Sequence, residues 1–112
     1  MAEKVLVTGG FGLVGSQTVR RLVDDGHRVV ATDLGTPAQR KAAASLPANA
    51  EARWADLTDQ REVDRLVAEV SPTVIVHLAA VILPAAYRHP EIGRRVNVDA
   101  TAALLGQIAA EI

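Results

Sequence analysis

At 112 residues, with 49% apolar and 22% charged side chains, the chain is sized for one packed domain and is too apolar to stay disordered. Its 12 Lys and Arg against 13 Asp and Glu leave a net charge of −1, which offers no electrostatic footprint for nucleic acid or an anionic membrane surface. Cysteine is absent, which excludes disulfides and thiol catalysis. Met1-Ala2-Glu3-Lys4 leads straight into a short apolar run and lacks the long apolar stretch of a secretion signal. The most apolar region, Val74 to Ala86, contains His77 and Pro84 and is too short to span a bilayer. These features predict a soluble, cytoplasmic protein with no membrane or nucleic-acid partner.

Short apolar runs alternate with helix-period segments, the rhythm of repeated strand–helix units on a parallel sheet. The first predicted strand is about Lys4 to Thr8. The first helix runs from about Gly12 to Asp25, with Val14, Thr18, Val19, Leu22 and Val23 inward, and Gly26 supplies its left-handed cap. The second strand is Arg28 to Asp33. Thr36-Pro37 then opens a short alanine-rich helix to about Leu46, with proline at the first helical position and Pro47 as a stop. Arg40 and Lys41 are expected to be solvated. Glu51 to Ala55 alternates polar and apolar residues like an edge strand with one wet face. Asp59 and Glu62 form a capping-box pair ahead of Val63, Leu66, Val67 and Val70, which share one helix face. Thr73 to Leu78 is almost continuously apolar and predicts a fourth strand buried on both faces. A loop through Pro84 and Pro90 leads to a last helix, about Glu91 to Ile112.

Gly9-Gly10-Phe11-Gly12-Leu13-Val14-Gly15 fills the turn between the first strand and the first helix. Gly10-x-Gly12-x-x-Gly15 is the general dinucleotide spacing, and Gly9-x-x-Gly12-x-x-Gly15 is the variant preceded by Thr8. Glycines there allow a tight turn, close approach of backbone N–H groups to a pyrophosphate, and close helix–strand packing. The phosphates then lie at the positive end of the helix. The alternative is a glycine-rich turn with no ligand. Asp33 closes the second strand 18 residues beyond Gly15. A carboxylate there accepts from both ribose hydroxyls and repels a 2′-phosphate, which favours NAD over NADP; the other reading is a turn aspartate capping the next segment. Arg40 and Lys41 come several residues late for a 2′-phosphate. Asp56 follows the third strand at the carboxyl edge of the sheet, placed either to accept from an adenine amino group or to serve as a loop or cap residue. Trp54 reads as packing at the sheet edge.

With these residues in place, the chain resembles the extended short-chain dehydrogenase/reductase family, the NAD-dependent epimerases and dehydratases. Thr8-Gly9-Gly10-Phe11-Gly12-Leu13-Val14-Gly15 is similar to the family's phosphate loop. Asp56-Leu57 looks like its adenine-reading pair, and His77-Leu78-Ala79-Ala80 like the end of its fourth strand. Asn97-Val98-Asp99-Ala100-Thr101, preceded by Pro90, resembles a motif of its fourth helix. The resemblance covers nearly the whole chain, but only the N-terminal part of the family. It implies a Rossmann-like doubly wound parallel sheet, left incomplete at about four strands in the order 3-2-1-4. It also implies site roles: Phe11 and Leu13 offer backbone amides to the pyrophosphate, Ala79 and Ala80 let the cofactor cross the fourth strand closely, and Asn97 braces the active-site backbone or a water. Ala100 stands where the family often has glycine, and Val81 to Arg88 lacks the serine-containing pattern of a sugar-nucleotide epimerase.

The family's proton-transfer pair, a tyrosine followed four residues later by lysine, does not occur. Tyr87 is the one tyrosine, four residues on stands Glu91, and lysine occurs only at positions 4 and 41. A carboxylate beside the phenol raises its pKa, the wrong direction for a base. No catalytic residue is therefore assigned, and the chain reads as the cofactor-binding N-terminal part of a longer enzyme acting on a small molecule. The alternative is a non-catalytic NAD(P)-binding sensor or scaffold, and a third reading is a fragment that binds nothing stably. His27, His77 and His89 lack metal-ligand spacing: His27 reads as a surface loop residue, His77 as a cap of the strand end. Arg88, Arg94 and Arg95 read as a solvated helix face. Leu104 with Leu105 and Ile108 with Ala109 give the last helix more apolar surface than one sheet face needs. They leave open a homodimer contact or a cover from further chain.

Overall fold

In a computed structural model of the chain, which describes residues 2–80 and 88–111 and side chains up to residue 107, the short β-branched runs line up as one parallel sheet. Its strands are β1 (Lys4–Thr8), β2 (Arg28–Asp33), β3 (Ala50–Trp54) and β4 (Val74–His77), in the order β3-β2-β1-β4. The helices are α1 (Leu13–Asp24), α2 (Pro37–Ala43), α3 (Gln60–Val70), α4 (Pro90–Arg94) and α5 (Ala100–Glu111), with a π turn at Arg95–Asp99 joining the last two. This is the expected doubly wound order. Strand order reverses between β1 and β4, so a crevice opens at their carboxyl ends, where Thr8 pairs with both Thr32 and His77.

Side chains on β1 alternate between two cores, as the pleat requires. Val5 and Val7 join Val19 of α1 with Val29 and Ala31. Leu6 points the other way, into a cluster with Val30, the Val63, Leu66, Val67 and Val70 face of α3, and Ala100 and Leu104 of α5. The predicted α3 stripe is thus one wall of the larger core.

Several elements depart from expectation for identifiable reasons. β4 is not buried on both faces. Among the described residues it pairs only with β1, so Val74 is 40% exposed and Ile75, Val76 and His77 are half-buried. Val14 does not face inward but is 63% exposed, because Gly15 takes the inward position in the first turn of α1. β3 ends at Trp54 rather than Ala55, whose amide turns to the Asp33 carbonyl at 2.9 Å while its methyl enters the core. α2 ends three residues early, and its start is a full capping box of Thr36 with Gln39. The expected box of Asp59 with Glu62 does not form. Asp59 caps through the Arg61 amide at 3.0 Å, and Glu62 Oε1 accepts from the Asp56 amide at 3.2 Å instead. The last helix starts at Pro90 and carries the π turn within it. Leu104 is buried and Leu105 is 62% exposed. Tyr87, Pro84 and the rest of 81–87, the side chains of Ile108 and Ala109, and Ile112 lie outside the described residues. Among the described residues no helix is long and apolar enough to cross a membrane.

Candidate functional site

The turn after β1 is built by glycines doing different jobs. Gly9 has φ +65°, and a Cβ on it would lie 2.9 Å from the Ala79 amide nitrogen. A Cβ on Gly10 would lie 2.7 Å from the Ala31 methyl, and one on Gly15 only 1.9 Å from the Gly9 carbonyl oxygen. These three are required by the protein's own packing. Gly12 is not: a Cβ there meets only the Gly9 carbonyl, at an ordinary 3.4 Å. Gly12 is exposed, has extended backbone and stands at the N-cap of α1, where no side chain caps the helix. The space a side chain would fill over Gly12 is left open at the positive end of a helix of 12 residues.

The crevice at the sheet's carboxyl edge holds about 350 Å³ and brings together most of the predicted site. Gly9, Phe11 and Gly12 form one wall, Asp33 closes β2, Asp56 and Leu57 follow β3, and Leu78, Ala79 and Ala80 follow β4. Gly10 and Gly15 lie beneath the loop, held by the contacts above. Leu13 and Val14 do not line the crevice; they are 84% and 63% exposed on the first turn of α1. Asn97 sits in the π turn beside Val96, which reaches the crevice, and its carbonyl accepts from the Thr101 hydroxyl at 3.1 Å.

Asp33 turns inward. One carboxylate oxygen accepts from the Phe11 amide at 3.3 Å and the other from the Leu34 amide at 3.0 Å, which ties the acid to the glycine turn. It does not cap the following helix, since Thr36 does so. Asp56 accepts from the Thr58 hydroxyl at 2.6 Å and the Thr58 amide at 2.9 Å through a single oxygen. The Thr58 hydroxyl and then its amide hold the Asp56 carboxyl below its ordinary pKa against desolvation, with a lesser contribution from the charge of Arg95. Asp33 and Asp56 thus place one carboxyl side chain at the end of β2 and one just beyond β3.

Trp54 packs as expected, its ring centroid 5.1 Å from that of Phe11. Arg40 is not simply solvated. Its Nε donates to the Gly35 carbonyl at 2.8 Å, and its guanidinium lies 5.1 Å over the Trp54 ring. His27 is half-buried, not a free loop residue, and its Nδ1 accepts from the Glu3 amide at 2.9 Å. Leu34, Gln39, Thr58 and Val96 also line the crevice without having been singled out. Thr58 was readable as the partner of an Asx turn two residues after Asp56. Gln39 was readable as the third residue of the Thr36 capping box. Leu34 and Val96 carry no signal beyond their neighbours.

A sequence profile of the NAD dependent epimerase/dehydratase family matches residues 5–110. The chain is 34% identical to a UDP-glucose 4-epimerase of Homo sapiens over 117 aligned positions, covering 94% of this chain and 33% of that one. Among solved structures, a UDP-glucose 4-epimerase of Thermus thermophilus in complex with NAD superposes with TM-score 0.81 at 30% identity, covering 93% of this chain and 33% of that one. An L-threonine 3-dehydrogenase of Trypanosoma brucei gives TM-score 0.81 at 27% identity, covering 95% and 33%. The chain spans about a fifth to a third of the length of the curated relatives it matches. From profile, relatives and fold together, the chain belongs to the NAD dependent epimerase/dehydratase family.

Proposed function

We propose that this chain is the NAD-binding portion of an NAD-dependent epimerase, dehydratase or dehydrogenase acting at a hydroxyl-bearing carbon of a small-molecule substrate. The observation that carries the reading is the pairing of the uncovered Gly12 with the inward Asp33 across one crevice. The bare loop suits a diphosphate, with the amides at the start of α1 as donors. Asp33 suits the adjoining ribose, and its charge disfavours a 2′-phosphate, so NAD is assigned over NADP. Asp56 and Leu57 are assigned to the adenine end, and Leu78, Ala79 and Ala80 to the floor the cofactor crosses. Phe11, Leu13 and Val14 are assigned to the turn's amide face, and Asn97 to bracing the backbone at the substrate end.

When bound, the nicotinamide supplies a hydride acceptor and donor. The residues of this chain bind and orient that cofactor, and proton transfer is assigned to groups outside these residues, since the tyrosine–lysine pair is absent from them. No observation favours a non-catalytic sensor. Exposed Val98 and Leu105 support a covered face on the last helix, by a second subunit or by further chain of the same protein.

Calorimetric titration with NAD and NADP, on the protein and on Asp33→Ala, tests the proposal. NAD is expected to bind at least tenfold more tightly than NADP, and Asp33→Ala to lose about tenfold or more for NAD, the scale of one or two hydrogen bonds to a charged group. Tighter binding of NADP, or no effect of the substitution, would refute the Asp33 assignment.

A further inference from the structure

His77 sits at the end of β4 with both ring nitrogens engaged, and its neighbours dictate where its proton lies. Nδ1 is 2.6 Å from the Thr8 hydroxyl oxygen, and Nε2 is 2.9 Å from the Thr101 hydroxyl oxygen. Thr8, fully buried, also receives the Leu78 amide at 2.9 Å and the Ala79 amide at 3.1 Å on the same oxygen. Amides only donate, so they occupy the two lone pairs of that hydroxyl. Its own proton then has one recipient, Nδ1 of His77. The other end is fixed independently. The Thr101 hydroxyl donates to the Asn97 carbonyl at 3.1 Å, as helical threonines do four residues back, and so it accepts from Nε2. Both ends require the same form of the ring.

We propose that His77 is a positioning residue of the cofactor crevice: held as the neutral Nε2–H tautomer, it ties the phosphate-loop strand to the Asn97 turn through one directed hydrogen-bond chain. The chain runs from the Leu78 and Ala79 amides to Thr8, from Thr8 to His77, from His77 to Thr101, and from Thr101 to the carbonyl of Asn97. It links three walls of the crevice. Thr8 precedes Gly9 of the loop, Leu78 and Ala79 form the floor, and Val96 beside Asn97 reaches in from the π turn. A Cβ on Gly9 would lie 2.9 Å from the Ala79 amide nitrogen, so the loop and the floor pass too close for either to shift freely. Desolvation lowers the His77 pKa, in keeping with a ring that stays neutral. The role rests on the proposed NAD site, whereas the tautomer does not.

Long-range ¹⁵N–¹H spectra of the imidazole at neutral pH give the first test, with His77 assigned by its loss in His77→Asn. A single Nε2–H tautomer with unprotonated Nδ1 is expected. Thr101→Val or Thr8→Val alone should leave that tautomer in place, because the remaining threonine still requires it, whereas the double substitution should release it into a mixture. An Nδ1–H or doubly protonated ring in the unmodified protein would overturn the proposal. The second test is NAD affinity. His77→Leu should weaken it about tenfold, and His77→Asn, whose amide oxygen replaces Nδ1 as acceptor for Thr8, should recover most of that loss. Equal affinity of both variants to the unmodified protein would overturn the positioning role. Failure of the unmodified protein to bind NAD would instead sink the cofactor assignment, with the spectra still deciding the tautomer.

Discussion

Gly15→Ala and Gly12→Ala differ only in position, and the structure predicts a loss of folding stability for the first and a loss of cofactor affinity for the second. By helix propensity alone, alanine at Gly15 inside α1 should stabilise by about 1 kcal/mol. The added carbon, however, lies 1.9 Å from the Gly9 carbonyl oxygen, 2.8 Å from its carbon and 2.9 Å from the Gly10 Cα. All three are backbone atoms, so no rotamer relieves the clash. Bringing the first contact out to an ordinary 3.4 Å needs about 1.5 Å of retreat by the start of α1, which would open the packing of Val19 on Val5 and Val7. Overpacking of a well-filled site costs about 1–3 kcal/mol, and a rigid backbone opponent puts this case at or above the top of that range. Gly15→Ala should therefore lose about 3 kcal/mol or more. Gly12→Ala meets nothing closer than 3.4 Å, adopts an ordinary extended backbone and should cost less than about 1 kcal/mol as a poorer N-cap. Its methyl fills the space above the turn, so NAD affinity should fall at least tenfold while the fold persists. Urea unfolding followed by circular dichroism, paired with calorimetry on NAD, reads both quantities. Equal destabilisation by the two substitutions, or unchanged NAD binding by Gly12→Ala, would refute the division of labour among the glycines.

Two further outcomes follow from local geometry. The folded-state pKa of His77 lies below its unfolded value of about 6.5 because burial disfavours the cation. The unfolded chain therefore binds more protons in that window, so this contribution to stability is complete above about pH 6.5 and is lost as pH falls through the lowered folded value. Urea midpoints between pH 8 and pH 5 should decline for the unmodified protein and decline less for His77→Asn; equal slopes would count against it. Thr36→Ala removes the acceptor of the Gln39 amide and half of a capping box on an exposed helix, so it should cost about 1 kcal/mol with NAD affinity unchanged. A loss above about 3 kcal/mol would show that Thr36 does more than cap.

What was legible in the sequence was what depends on neighbours along the chain. The strand–glycine–helix unit, the α3 stripe and Asp33 at the end of β2 are local patterns with few alternatives, whereas the strand order was implied by the family resemblance. What stayed illegible depends on choices between partners. Glu62 had two amides within reach, and the turn that sends the Asp59 amide to the Asp56 carbonyl leaves the Asp56 amide for Glu62. The continuous apolar run of β4 describes a strand suited to burial, not one whose second neighbour is in hand. The π turn leaves no mark on apolar spacing, because Arg95 to Asp99 alternates charged, apolar and polar residues. His77 was seen as a strand end, but its partners lie 69 and 24 residues away.

The central place of β1 also sets a timetable for synthesis. Val5 meets Val29 across 24 residues, but its other neighbour, Val74, is 69 residues away. Closing the longer loop costs roughly 1 kcal/mol more in chain entropy, from the logarithm of the ratio of those lengths. One flank of the ribbon can thus zip while the chain is still emerging, and the other waits for most of the domain to be translated. During that interval the apolar first strand has a bare hydrogen-bonding edge, the kind of surface that chaperones cover and that neighbouring nascent chains can capture.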